Sequence, residues 1–330
     1  MRILIILVVL LSLSSLTVIK LKNSKGVFKR LPSYFPKMDI PEGNKITKSR
    51  VALGKKLFFD KRLSIDGTIA CNTCHHPAMA FADNQAITPG VQGRLGTRNA
   101  PTLTNVGFNP TYLFDGFLET LEKQAIVPIE EHAEMAFNIV EITKRLKSVP
   151  EYQKLAQKAY KRDLDPYVIT RALGTFQRTL ISYQSKYDLA LKKKEKLNES
   201  EQKGKDLFFN TLHCTQCHNG FNFTDFSTKN NGLYPVYADS GRMRVTKLET
   251  DRDLFKVPTL RNIGLTAPYM HDGSFKTLDE VIRHYESGGF PNKNKSPHLK
   301  PFVLSDEDRK NLISFLNALT DEKFIHRHTH

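Results

Sequence analysis

Cys71-Asn72-Thr73-Cys74-His75 and Cys214-Thr215-Gln216-Cys217-His218 use all four cysteines of this 330-residue chain. Any fold must be built around these two runs. Cys-x-x-Cys-His is the attachment signature of c-type haem. The two thiols add across the haem vinyls, and the adjacent imidazole is placed to ligate the iron. A zinc site made from the four cysteines would leave both histidines without a task. Two disulfides would close tight, strained loops. A redox dithiol calls for a βαβ pattern, which does not surround either run. The reading is therefore two covalent haem c groups, held by Cys71, Cys74 and His75 and by Cys214, Cys217 and His218.

The runs sit inside a larger repeat. Gly54-Lys55-Lys56-Leu57-Phe58-Phe59 precedes the first, and Gly204-Lys205-Asp206-Leu207-Phe208-Phe209 the second. Downstream, Pro101-Thr102-Leu103-Thr104-Asn105 matches Pro258-Thr259-Leu260-Arg261-Asn262. Asp115-Gly116 and then Thr120-Leu121-Glu122 match Asp272-Gly273 and Thr277-Leu278-Asp279. Order and spacing repeat together, which chance similarity does not explain.

Between the halves, Ile139, Ile142 and Leu146, then Leu155 and Ala159, then Val168, Ala172, Phe176 and Leu180 predict three helices separated by Pro150 and Pro166. A last helix is expected from Ser305, an N-cap with Asp308 three residues on, through Leu312, Phe315, Leu316 and Leu319. Strand alternation is scarce. The expected fold is mainly α, with few or no strands: two cytochrome c-like haem domains related by duplication. Residues 45–192 form the first, with a helical extension, and residues 193–325 the second.

Met1-Arg2 followed by apolar residues 3–19 reads as an export signal. No clean small-x-small cleavage site follows, and the length sits at the lower limit for a span. Residues 1–22 are thus a signal peptide or a membrane anchor, with a periplasmic catalytic part in either case. The net charge is +15. It suits steering of an acidic electron donor. No nucleic-acid recognition motif accompanies it, so nucleic acid is not an expected partner. The Lys192–Lys196 run reads as a solvated helix end or linker. The tail at residues 326–330 reads as a frayed terminus.

The run from Ala52 to Ser64, the first haem motif, Arg98-Asn99-Ala100-Pro101-Thr102, Phe114-Asp115-Gly116 and Ala267-Pro268-Tyr269-Met270-His271-Asp272-Gly273 together resemble the bacterial dihaem cytochrome c peroxidase family, which includes the MauG type. The resemblance covers residues 45–320. It implies that the N-terminal haem, on His75, reacts with hydrogen peroxide, and that the C-terminal haem relays electrons. Many members block the peroxide site with a distal His before the Arg-Asn-x-Pro loop. Residues 88–94 hold no His here, and His76 adjoins His75 from the wrong place. The expectation is an iron open without reductive activation.

The resemblance further implies that Glu122 is the acid–base group, and that His271 is a second polar group near the haems. Tyr112 stands where the family usually has Gln, so it could donate a hydrogen bond, be oxidised or simply pack. For the sixth ligand of the His218 haem the position matches Tyr285, which the MauG type also uses. Met270 is the alternative, and His284 or an open site stand behind both. A calcium ion between the domains would use Asn99, Thr266 and Pro268. The family often places Trp between the haems, and this chain has none.

Three functions compete. The first is a cytochrome-c peroxidase reducing hydrogen peroxide to water with electrons from a small donor protein, a cytochrome c or cupredoxin. The second is a MauG-like oxidase that modifies a partner protein through a high-valent dihaem state. The third is a plain dihaem electron carrier. A homodimer is one assembly open to the chain.

Overall fold

The computed structural model describes residues 31–329, and the stretch read as signal or anchor (residues 1–22) lies outside them. Among the described residues no helix is long and apolar enough to cross a membrane. Helix α1 (Lys48–Phe58) starts at Thr47, whose hydroxyl accepts from the Arg50 N–H. A short helix α2 (Leu121–Gln124) follows the first Asp-Gly turn, with Thr120 as its cap. Then come α3 (Ile139–Lys147), α4 (Pro150–Tyr160) and α5 (Pro166–Gln177). Pro150 and Pro166 do not lie between these helices. Each is the first residue of the helix that follows, where a missing N–H costs no intrahelical bond. Leu180, expected on the third helix, lies just past its end at Gln177.

Helix α6 (Lys186–Leu191) and helix α7 (Glu199–Asp206) both open on capping boxes, Ser185 with Asp188 and Asn198 with Glu201. The residues between them, Lys193 to Lys196, are exposed, as a solvated linker requires. Helix α8 (Leu278–Glu286) and helix α9 (Asp306–Asn317) follow in the second half. Ser305 caps α9 as its sequence suggests, accepting from the Asp308 N–H at 3.0 Å. The described residues contain two two-residue strands, β1 (Thr228–Lys229) and β2 (Phe255–Lys256), paired antiparallel. The fold is mainly helical, as expected.

The repeat is physical. A Cβ on Gly54 would lie 1.9 Å from the Ala172 carbonyl oxygen, and one on Gly204 would lie 1.9 Å from that of Asn311. Only glycine lets α1 lie directly on α5, and α7 on α9. Phe58 then meets Phe176 at 5.1 Å between ring centroids, and Phe208 meets Phe315 at 5.4 Å. Each half has its own apolar core on this crossing.

The halves are stitched by the repeated Pro-Thr-Leu-x-Asn loops. Asn105 and Asn262 both take positive φ and are fully buried at the seam. Asn105 donates from its amide to the Asn222 side-chain oxygen at 3.0 Å, and Asn262 donates from its amide to the Thr104 hydroxyl at 3.1 Å. Arg261 closes a buried bidentate pair on Asp188, at 2.8 and 3.1 Å.

The tail is not frayed, which corrects the sequence expectation. Residues Glu322–Thr329 form helix α10. Phe324 is fully buried in the core of the N-terminal half. Short-range periodicity misses this because the partner surface is supplied by the opposite end of the chain.

Candidate haem sites and acid–base cluster

Both Cys-x-x-Cys-His runs form single helical turns. The His75 N–H reaches the Cys71 carbonyl at 3.0 Å, and the His218 N–H reaches that of Cys214 at 2.9 Å. The pairs pack against separate cores, Cys71 in the first and Cys214 in the second, so they do not converge on one four-cysteine metal site. Burial pushes the Cys71, Cys74 and Cys214 thiols up to about 12.

Each histidine is oriented by a backbone carbonyl. His75 donates from Nδ1 to the Phe81 carbonyl at 2.9 Å, and His218 does the same to Phe223 at 3.1 Å. That bond fixes the tautomer and leaves Nε2 for a metal. Burial also lowers both imidazole pKa values, which keeps them neutral and able to ligate. The residues therefore fit two haem c groups: a pair of thiols at the attachment spacing and, beside each pair, a buried neutral imidazole oriented through Nδ1.

In the first half, Glu122 is buried and held on three sides. Arg178 donates from Nη1 to Oε1 at 2.7 Å and from Nη2 to Oε2 at 3.0 Å. Asn44 donates to Oε1 at 2.7 Å. Asn44 is itself fixed by Tyr160 and Thr175, each donating to its Oδ1 at 3.1 Å. Burial alone would raise the carboxyl pKa, but the Arg178 and Asn44 contacts hold it below the usual range. Glu122 is a carboxylate at neutral pH. Tyr112 is buried close by, its phenol pushed up to about 12 by burial. Asp279, the repeat equivalent of Glu122, is instead half-exposed at the surface and paired with Arg283 at 2.7 Å.

Residues 88–94 contain a tight turn with Val91 buried, and no histidine. His76 directs Nε2 toward Asp83, at 3.9 Å, from beside the proximal ligand. His271 stacks on Phe255 at 4.0 Å between centroids, with the Tyr237 ring 5.8 Å away. Its carbonyl accepts from the Asn99 N–H at 2.8 Å, which brings the Asn99 loop to the segment carrying Thr266 and Pro268. The Asn99 side chain donates to Gln85 and Ala86 carbonyls at 2.8 and 3.2 Å.

In the second half, Tyr285 lies on α8, close enough to Cys217 and Cys214 for both to act on its phenol. Burial raises its pKa, and a hydrogen bond with Asn231 opposes that. Asn231 also donates to the Met270 sulfur at 3.3 Å. The two candidate sixth ligands thus share one partner. His284 directs Nε2 to the Asn231 carbonyl at 2.9 Å, which occupies the nitrogen a ligand would need.

Sequence reasoning missed Arg178, Asn44, Asn231, Phe81 and Phe223. Arg178 had a weak signal, a cation inside the apolar run from Val168 to Leu180. Phe81 and Phe223 act through backbone carbonyls that any residue type could supply, and Asn44 and Asn231 through side-chain amides that no local pattern ties to their distant partners.

The di-haem cytochrome c peroxidase family model matches residues 48–196, and the cytochrome c model matches residues 201–320. Methylamine utilization protein MauG from Methylorubrum extorquens is 35% identical over 287 residues, covering 86% of this chain and 81% of that protein. Cytochrome c551 peroxidase from Nitrosomonas europaea is 37% identical over 279 residues, covering 82% and 80%. A crystal structure of a MauG-like protein associated with microbial copper homeostasis superposes with a TM-score of 0.85 at 32% identity, covering 89% of this chain and 96% of that one. With the paired haem-attachment turns and this coverage, the chain belongs to the di-haem cytochrome c peroxidase family and is an oxidoreductase carrying two haem c groups.

Proposed function

We propose that the enzyme reduces hydrogen peroxide to water at the His75 haem, using electrons that enter from a small acidic redox protein through the His218 haem. The observation that carries this assignment is the asymmetry of the duplicated acid. Glu122 is buried and ionised, while Asp279 in the matching place is a surface residue. At this duplicated position only the first half offers a desolvated base. When bound, the haem supplies an iron that binds peroxide and accepts its oxidising equivalents. Glu122 takes the proton from the near oxygen and returns it to the far one. Its Oε1 is already engaged by Arg178 and Asn44, so Oε2, with a single longer contact, is the oxygen that carries the proton. Tyr112 lines the same region as a neutral phenol.

A MauG-like reading, oxidation of a partner protein, draws support from Tyr285 beside the attachment cysteines of the second haem. A hard anionic ligand there favours higher oxidation states over onward transfer. Calcium on Asn99 and the Thr266 and Pro268 carbonyls would pin the two halves together at the His271 contact. Residues 45–192 and 193–325 are the two haem domains, and the protein is exported to the periplasm. Steady-state peroxide turnover with a panel of reduced cytochromes and cupredoxins tests the function. Turnover with one of them supports it; a chain that binds two haems but turns over with none is an electron carrier or a MauG-type oxidase.

A further inference from the structure

The carbonyls that orient the two proximal histidines belong to residues in an unusual state. Phe81 and Phe223 both have positive φ, 59° and 51°. A phenylalanine enters that region only when its surroundings hold it there. Both rings are buried, at 0% and 2% exposure. Each ring packs on its own half, Phe81 on Phe58 at 5.9 Å and Phe223 on Phe208 at 6.0 Å between centroids, and each is also met by an aromatic residue from the other half.

Phe81 belongs to the first half. Its ring meets Phe324 at 6.0 Å and His328 at 5.3 Å between centroids. Both lie on α10, the helix that follows the last core helix of the second half. Phe223 belongs to the second half. Its ring meets Tyr187 edge-on at 5.5 Å. Tyr187 lies on α6, the helix that follows the last core helix of the first half.

Each brace is pinned at its base by an aspartate that also reaches across. Asp321 accepts from the Phe324 N–H at 2.9 Å at the start of α10. Its other oxygen accepts from the Tyr183 and Gln184 N–H groups, each at 2.9 Å, and from the Ser182 hydroxyl at 3.0 Å. Asp188 on α6 accepts from the Ser185 hydroxyl at 2.8 Å and holds Arg261 of the second half. The Arg261 guanidinium lies 5.8 Å from the Phe223 ring centroid.

We propose that the two proximal histidines are held reciprocally: α10 of the second half positions His75 through Phe81, and α6 of the first half positions His218 through Phe223. Phe324, His328 and Tyr187 are then positioning residues. They touch neither iron nor substrate, but fix the carbonyl that sets ring orientation and Nδ1–H hydrogen-bond strength. The arrangement links the two haem sites mechanically without any ligand passing between them. It is independent of which haem meets peroxide.

The test uses the dihaem holoenzyme and reads each haem separately, by redox titration and by the g-values of its ferric electron paramagnetic resonance signal. Phe324→Ala should shift the potential and g-values of the His75 haem and leave those of the His218 haem in place. Tyr187→Leu should do the reverse, and Tyr187→Phe, which keeps the ring, should restore the wild-type values. If Phe324→Ala does not fold, His328→Ala, at a more accessible position, should give a smaller shift at the same haem. A shift at the haem of the brace's own half, equal shifts at both haems, or no shift in any folded variant overturns the proposal.

Discussion

Glu122 is the residue where charge, burial and function meet. A buried carboxylate without a partner protonates, and Arg178 prevents this. Glu122→Gln keeps the shape and removes the base, so peroxide turnover should fall by about 10²–10⁴-fold with both haems retained. Turnover within a few-fold of wild type would make Glu122 structural. Arg178→Met tests the other side of the pair. With the guanidinium gone, burial dominates and the Glu122 pKa rises. The base form is then lost at higher pH, so the acid limb of the pH–rate profile should move upward. At the second haem, Tyr285→Met replaces a hard anionic donor by a soft neutral one, and redox titration should show a higher potential for the His218 haem. If that potential stays and Met270→Leu moves it instead, Met270 is the ligand.

At the scale of elements, two glycines set how the helices cross. Gly54→Ala drives a methyl into the α5 backbone, where Ala172 cannot retreat without moving the helix. The expected loss is about 1–3 kcal/mol of unfolding free energy, the usual range for overpacking. Denaturant titration measures it, and Gly204→Ala should behave alike on α9. Helix α10 adds a pH dependence. Burial, helped by the Arg327 and Lys55 charges and opposed by Asp321, lowers His328 from 6.5 to about 4. Between those values the unfolded chain binds a proton that the folded chain refuses. Stability is therefore complete above about 6.5 and falls as pH drops toward 4. His328→Leu should flatten that part of the melting-temperature profile, whereas an unchanged slope would place the imidazole in water.

For the whole molecule, the seam decides whether two haem domains behave as one body. Arg261 and Asp188 are almost fully buried and join residues from the two halves. Arg261→Met would leave Asp188 as an uncompensated buried charge, at a cost of about 3–5 kcal/mol. Calorimetry should show the transition falling by several degrees or splitting in two. A variant melting like wild type would mean that Asp188 finds water or the Tyr34 hydroxyl, 2.9 Å away, a sufficient partner.

The sequence by itself determined what is local or duplicated. The attachment turns need two thiols and an imidazole at fixed spacing, so Cys71, Cys74 and His75 and their second copy were legible outright. The duplication was marked by the repeated runs from Gly54 and Gly204, and the cap at Ser305 by its own side-chain chemistry. Family resemblance singled out Glu122 and Tyr285. Only the tertiary structure decided their surroundings: Arg178 and Asn44 on Glu122, Asn231 between Tyr285 and Met270, and α10 folded back onto Phe81. These contacts join side chains far apart in the chain, Asn44 to Glu122 across 78 positions and Asn231 to Met270 across 39. Local spacing carries no record of such pairings, because only the packing of whole elements brings the partners together.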